Sequence, residues 1–359
     1  MSDLIVLDLY SGMGGLSLGT ALALRPKQIL GLEINKNAIM TYNLNLERYN
    51  AHSIQADVLD WTPEKGYYDL VVGGSPCEPF SIANARRRGE KHPLFPTLRR
   101  FFDLVLELRP TAFIHENVKG LLSTQFRHIY EEQLTRIKDH YYVSARTLNS
   151  ADYGVPQKRE RLITIGIHRS LGKKPSLPIQ THAERPITTI YGLIPRWLTL
   201  GDAIQDIVAN PPADAVIFRQ EQVERIRRER ENTRGIHWGC MEFPDSLDKP
   251  ARTISSHTIE GTKRETIVIQ MRDGLYRRLT VREALRLQSF PDWWSFPDGI
   301  TITTKFKLIG EAVPPILAYK IARSLAVDLG WEWHPPTPDD FKLPYFERAF
   351  PELVATIKR

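Results

Sequence analysis

The feature that most restricts this chain is an alternation of short apolar runs with helix-like segments through its first half. Leu4–Leu9, Gln28–Glu33, His52–Gln55, Asp69–Gly74 and Ala112–Ile114 are the runs. Lys36–Leu46, Leu94–Leu108 and Leu121–Ile137 are the helix-like segments, and Tyr142–Leu148 and Arg161–Ile167 close the series. Parallel strands need a long crossover between them, commonly a helix, so this alternation predicts βαβ units. The fold class expected is α/β, a doubly wound, mostly parallel sheet. Ligands bind such sheets beyond the carboxyl ends of the strands, so the residues that follow each run are the candidates for chemistry.

Beyond about Arg169 the alternation stops. Pro175, Pro178, Pro186 and Pro195 punctuate a linker-like stretch, and a domain boundary is expected near residues 170–190. Glu221–Glu231 is a dense charge run that reads as a solvated helix, and Ala251–Ile269 reads as short strands and loops. Val313–Leu329, with Pro314-Pro315 at its start, predicts an amphipathic helix. The segment from Trp331 is rich in proline and aromatics and shows no period.

Composition narrows the function classes. A length of 359 residues suits two domains, and 42% hydrophobic with 25% charged residues argues against disorder. Cys77 and Cys240 are the two cysteines. They exclude a disulfide framework and a four-cysteine zinc site, no metal is expected, and a reducing compartment fits. The formal charge of +6 favours a polyanionic partner. No apolar run approaches the roughly 18 residues of a membrane span, and the N-terminus lacks signal-peptide features, so a cytoplasmic protein is expected.

Four blocks carry candidate chemistry. The first, Asp8-Leu-Tyr-Ser-Gly12-Met-Gly14-Gly15, joins a strand to a helix; glycines there allow a sharp turn and close approach of a ligand. Ser17 departs from the dinucleotide pattern G-x-G-x-x-G. Glu33 ends the second strand, where a carboxylate accepts ribose hydroxyls. Asp57 follows the third strand, within reach of an adenine amino group. Together they suggest an adenosine ligand without a pyrophosphate. The second block, Gly73-Gly74-Ser75-Pro76-Cys77-Glu78-Pro79-Phe80-Ser81, sets a cysteine at the carboxyl end of a central strand. The third, Glu116-Asn117-Val118, follows the next strand on the same sheet edge. The fourth, Gln157-Lys158-Arg159-Glu160-Arg161, has two arginines that share one side if the segment is extended.

In this order the blocks resemble those of the DNA cytosine-5 methyltransferases of bacterial restriction-modification type. Arg278–Pro291 and Gly310–Pro315 resemble two further family blocks, so the likeness runs from residue 5 to about residue 325. Two positions depart from it: Glu78 stands where the family usually has Gln, and Glu311 where it usually has Asn.

The resemblance implies a Rossmann-like methyltransferase domain over residues 1–185, completed by 305–330. It implies a smaller, irregular β-rich target-recognition domain over 186–304, with 331–359 as a C-terminal tail. It implies Cys77 as nucleophile, Glu116 as the group holding the cytosine ring, Arg159 as support for base and thiolate, and Arg161 as an orienter of Glu116 or the nucleotide. The cofactor implied is S-adenosyl-L-methionine. Its expected contacts in the glycine loop are Asp8, Tyr10, Ser11, Gly12, Gly14 and Gly15. Glu33, Ile34, Asp57, Val58 and Pro76 are expected along the same edge, and Glu311 and Ala312 from the last block. Duplex DNA is the expected partner, met by Ser81 and Arg86, Arg87 and Arg88 of a loop after the nucleophile, and by Gln157, Arg252, Thr253 and Arg264. A functionally paired restriction endonuclease, a monomer, and a cytoplasmic enzyme brought to the nucleoid by DNA complete the expectation. An RNA cytosine-5 methyltransferase, a non-enzymatic DNA-binding relative and a dinucleotide oxidoreductase are the alternatives. The roughly 100 residues between the fourth and fifth blocks, the presence of Cys77, and Ser17 weigh against them in turn.

Overall fold

A computed structural model of the protein describes residues 2–63, 68–80, 91–190, 192–209, 211–212, 215–231, 242–255 and 265–353. The chain divides into two compact units. A sheet unit comprises Met1–Ser150, Glu160–Gln180 and Val313–Pro336; a second unit comprises Ala151–Arg159, Thr181–Ala312 and Thr337–Arg359.

The sheet unit follows the alternation. Its strands are β1 (Ile5–Leu9), β2 (Gln28–Glu33), β3 (Ala51–Gln55), β4 (Leu70–Gly74), β5 (Ala112–Val118), β6 (Tyr141–Asn149) and β7 (Glu160–His168). They form one seven-stranded sheet in the order β3-β2-β1-β4-β5-β7-β6. The pairings from β3 through β5 are parallel, and β7 runs antiparallel to both β5 and β6. The sheet's helices are α1 (Gly15–Leu24), α2 (Lys36–Leu46), α3 (Pro96–Leu108), α4 (Arg127–Ile137) and, from the C-terminal segment, α9 (Pro315–Leu329). β1 and β4 are almost wholly apolar because a parallel sheet is covered on both faces, with Asp8 the one charged residue in them. Leu7, Val71 and Phe113 are buried with Phe101, Phe102 and Val105 of α3. That is the face α3 presents at helical spacing.

β5 is longer than the Ala112–Ile114 expected: it continues through the polar residues to Val118. A buried strand tolerates His115, Glu116 and Asn117 because each finds a polar partner, described below.

The second unit is built from short pieces. β8 (Ile187–Thr189) pairs with β9 (Gly192–Ile194), and β10 (Val268–Gln270) with β11 (Tyr276–Arg278), both antiparallel. Helices α5 (Leu200–Ala209), α6 (Gln220–Glu231), α7 (Val281–Leu287) and α8 (Ile302–Glu311) complete it. The charge run is helix α6, but it is not wholly solvated: Val223, Ile226 and Arg230 are buried. Residues 337–353 belong to this unit rather than standing apart as a tail. Phe341, Tyr345, Phe346 and Phe350 are buried, and the Tyr345 hydroxyl donates to the Arg286 carbonyl. No helix among the described residues is long and apolar enough to cross a membrane.

Candidate active site

The glycine loop leaves β1 through Tyr10 (φ 61°) and Gly12 (φ 53°). Open space surrounds the point where a Gly12 Cβ would stand, so the loop is accessible there. Glu33, at the end of β2, braces it. One carboxylate oxygen accepts the Gly12 N–H at 2.9 Å, and the other accepts those of Ile34 and Asn35, each at 2.9 Å. Ile34 is 62% exposed, an unusual place for an isoleucine. Asp57 is exposed just after β3, with its carboxylate accepting the Leu59 N–H at 2.9 Å. The Tyr10 hydroxyl donates to the Thr97 carbonyl at 2.8 Å, and burial raises its pKa above the ordinary tyrosine value. An open glycine, two carboxylates and a solvent-facing apolar side chain at neighbouring strand ends suit an adenosine-bearing cofactor.

Several expected cofactor residues lie beneath that surface instead. Asp8 is 1% exposed, and the Ser17 hydroxyl donates to it at 2.6 Å. The Tyr42 hydroxyl in turn donates to Ser17 Oγ at 2.8 Å. Asp8 therefore anchors the loop from below, and Ser17 is there to bind it. Burial, opposed by Ser17 and assisted by Glu33, pushes the Asp8 pKa up to about 7. Ser11 is buried with its hydroxyl 3.0 Å from Ser53 Oγ, and Gly15 and Val58 are buried too. A side chain at Gly14 would strike Tyr42 and Leu46, so that glycine serves packing against α2.

The carboxyl ends of β4 and β5 carry the second half of the site. Gly74 is registered against Glu116. A Cβ at Gly74 would stand 3.0 Å from Glu116 Oε2, so the missing side chain leaves room for the carboxylate. Cys77 follows three residues later and is half-buried, as is Pro76, while Glu78 is exposed. From β7, Arg161 Nε reaches Glu116 Oε1 at 2.9 Å; the two side chains are 14% and 11% exposed. Arg161 thus pairs with Glu116.

The two arginines of the fourth block do not share a partner. β7 begins at Glu160, so Arg159 lies outside the strand, and the extended-segment condition fails. Arg159 is 2% exposed and donates to the carbonyls of Ile254, Gly310 and Ala312 at 3.0–3.1 Å. Gln157, expected at DNA, requires correction. It is fully buried, donates to Leu287 O and Gln288 Oε1, and accepts the Ile254 N–H. Its amide is occupied by a network internal to the second unit. Arg252 reaches Asp245 at 2.8 Å and the Thr266 carbonyl at 3.2 Å, whereas the Thr253 hydroxyl donates to the Lys158 carbonyl at 2.7 Å. Glu311 is exposed, 3.9 Å from Lys307, and Ala312 is buried. Ser81, Arg86, Arg87, Arg88 and Arg264 lie outside the described residues, as does Cys240.

Three polar residues around Cys77 and Glu116 escaped sequence reasoning: Ser75, His115 and Asn117. The available signal was a histidine and an asparagine flanking Glu116 on a strand, which puts both on the face opposite to Glu116.

Comparison with known proteins identifies the family. The family model for C-5 cytosine-specific DNA methylase matches residues 4–326. The Type II methyltransferase M.AplI of Arthrospira platensis is 34% identical over 350 residues, covering 96% of this chain and 91% of its own. M.Sau96I of Staphylococcus aureus, also a Type II methyltransferase, is 30% identical and covers 90% and 76%. A Spodoptera frugiperda DNMT2 mutant has the same fold, with a TM-score of 0.65 at 16% identity, over 90% of this chain and 99% of that one. So does S. pombe Dnmt2, with a TM-score of 0.62 at 15% identity, over 91% and 99%. The chain belongs to the C-5 cytosine-specific DNA methylase family.

Proposed function

We propose that the protein methylates carbon 5 of a cytosine flipped out of a specific duplex DNA sequence, through a covalent adduct with Cys77. The observation that carries this reading is the edge where β4 and β5 end: Glu116, tied to Arg161, lies over Gly74 at the root of the loop that bears Cys77. Carbon 5 of cytosine is a poor nucleophile until the ring is activated. The Cys77 thiolate forms a bond to carbon 6, and the ring's electron pair moves toward N3 and carbon 5. A proton shared between the Glu116 carboxyl and N3 neutralises that charge, while the other carboxyl oxygen accepts from the amino group and Arg161 keeps the carboxyl in place. S-adenosyl-L-methionine, when bound, supplies an electrophilic methyl group. After carbon 5 is methylated, a base removes its proton and the Cys77 sulfur leaves. A stacked base cannot reach such a site, so flipping at a cost of a few kcal/mol is part of the reading.

Glu33, Ile34, Asp57, Tyr10 and Gly12 are the groups that would hold the cofactor. Arg159 acts on the Gly310–Ala312 backbone rather than on the base. The second unit supplies sequence recognition, with Arg252 working as scaffold through Asp245. Protection of DNA from a paired restriction endonuclease fits relatives that are Type II methyltransferases.

Cys77→Ser tests the reading directly. Methyl transfer should fall by several orders of magnitude while DNA affinity stays within a few-fold, because a hydroxyl is a poor nucleophile near pH 7. Duplex DNA with 5-fluorocytosine should trap a covalent adduct with wild type and none with the variant. Substantial turnover by Cys77→Ser would overturn the mechanism.

A further inference from the structure

His115 is fully buried in β5, with its ring centroid 4.6 Å from that of Phe101 and 5.2 Å from that of Phe102. Its Nε2 lies 3.0 Å from Ser75 Oγ, and its Nδ1 has no hydrogen-bond partner among the described residues. Burial lowers the histidine pKa to about 3, so the ring is neutral at physiological pH. A leucine or methionine would fill this aromatic pocket without desolvating a polar ring. The position therefore bears a cost for one hydrogen bond, and that bond goes to the residue before Pro76-Cys77.

Asn117 reaches the same serine. The Val118 N–H donates to Asn117 Oδ1 at 2.8 Å, which fixes the amide orientation. The amide nitrogen then donates to the Ser75 carbonyl at 3.1 Å and to Ser75 Oγ at 3.0 Å. The His115–Ser75 hydrogen bond forms in either neutral tautomer, and its direction follows from which ring nitrogen holds the proton. Ser75 is held through its carbonyl and through its side chain, and the following proline restricts its backbone to extended conformations. These constraints act in series on Cys77, two residues on.

We infer that His115 and Ser75 are positioning residues for the nucleophile, a buried hydrogen-bonded pair that sets where the Cys77 sulfur stands relative to Glu116 on the same strand as His115. The inference rests on the reading of Cys77 as nucleophile. A displacement of about 1 Å at a reacting atom costs up to about 100-fold in rate.

The test is the single-turnover rate of covalent adduct formation on 5-fluorocytosine duplex DNA, measured with DNA and S-adenosylmethionine affinities for each variant. His115→Leu and Ser75→Ala should each slow the adduct by about 10- to 100-fold with both affinities within about twofold. The double variant should be no slower than the slower single one. His115→Gln, which restores a hydrogen-bonding amide near the Nε2 position, should recover most of the rate. Wild-type rates in both single variants would overturn the inference, as would multiplied losses in the double variant or affinities that fall in step with the rate. A wild type that forms no adduct would instead overturn the nucleophile reading itself.

Discussion

The two units of this protein bury charge in different ways. In the sheet unit, Asp8 and His115 are buried and driven toward neutrality, Asp8 rising to about 7 and His115 falling to about 3, while Glu116 is paired with Arg161. In the second unit, opposite charges are buried together. Arg277 and Glu283 are both fully buried and joined by two hydrogen bonds of 2.8 and 2.6 Å. Burial pushes the Asp245 carboxyl up, but Arg252 and Arg230 outweigh it and hold it below its ordinary value. A large sheet supplies enough apolar contact to pack without directional bonds. The second unit has three-residue strands and must use directional ones to fix its shape. It is ordered by specific pairs, so its shape depends on individual side chains.

Breaking one such pair should have the largest effect. Arg277→Met leaves Glu283 buried and uncompensated, which costs about 3–5 kcal/mol. Calorimetry should show the second unit unfolding early while S-adenosylmethionine binding persists. Replacing both partners with leucine should restore most of the stability. A single transition that takes cofactor binding with it would erase the distinction between the units.

The sheet unit should respond to volume instead. A Cβ at Gly19 would stand 2.4 Å from Ala318 Cβ and 2.5 Å from the Tyr319 nitrogen, because α1 and α9 pack backbone to backbone there. Gly19→Ala should destabilise the sheet unit by about 1–3 kcal/mol through overpacking. Hydrogen exchange should show the loss in α1 and α9 and leave α6 and α7 unchanged. Equal loss in both units would contradict the division.

The same contrast governed how much was legible in the sequence. Apolar periodicity located β1, β2, β4, α2, α3 and α9 to within a few residues, because burial alone shapes them. Cys77, Glu116 and the Glu33 carboxylate were visible as polar residues following apolar runs. Asp8 and Gln157 were expected at ligands and meet internal partners, since sequence position does not show which of the two a polar side chain faces. The pairings Arg277–Glu283 and Arg230–Asp245 depend on distant chain segments meeting and leave no periodic trace. The aromatic segment after Thr337 showed no pattern because its burial comes from packing against the rest of the second unit.

The last effect concerns Asp8 and depends on pH. Its carboxyl is raised from 3.8 to about 7, mainly by burial, so the folded state holds a proton that the unfolded chain releases. Stability from this group is complete below about pH 4, declines as pH rises, and is lost above 7. His115 works the other way. Lowered from 6.5 to about 3, its contribution is complete above 6.5 and is lost as pH falls toward 3. Between pH 4 and 6.5 the two slopes oppose each other and flatten the profile of the wild type. Asp8→Asn keeps an acceptor for Ser17 but removes the ionisable group, so it should match wild type near pH 4. At pH 8 it should melt at a higher temperature than wild type, because the folded wild type must then ionise a buried carboxyl that the variant lacks. The variant's own profile should then climb more steeply from pH 4 to 6.5, with the histidine slope no longer opposed. Thermal melts across that range measure both slopes. Parallel profiles for wild type and variant would mean that Asp8 stays ionised in the folded protein, and the sheet unit would then bury a charge without neutralising it.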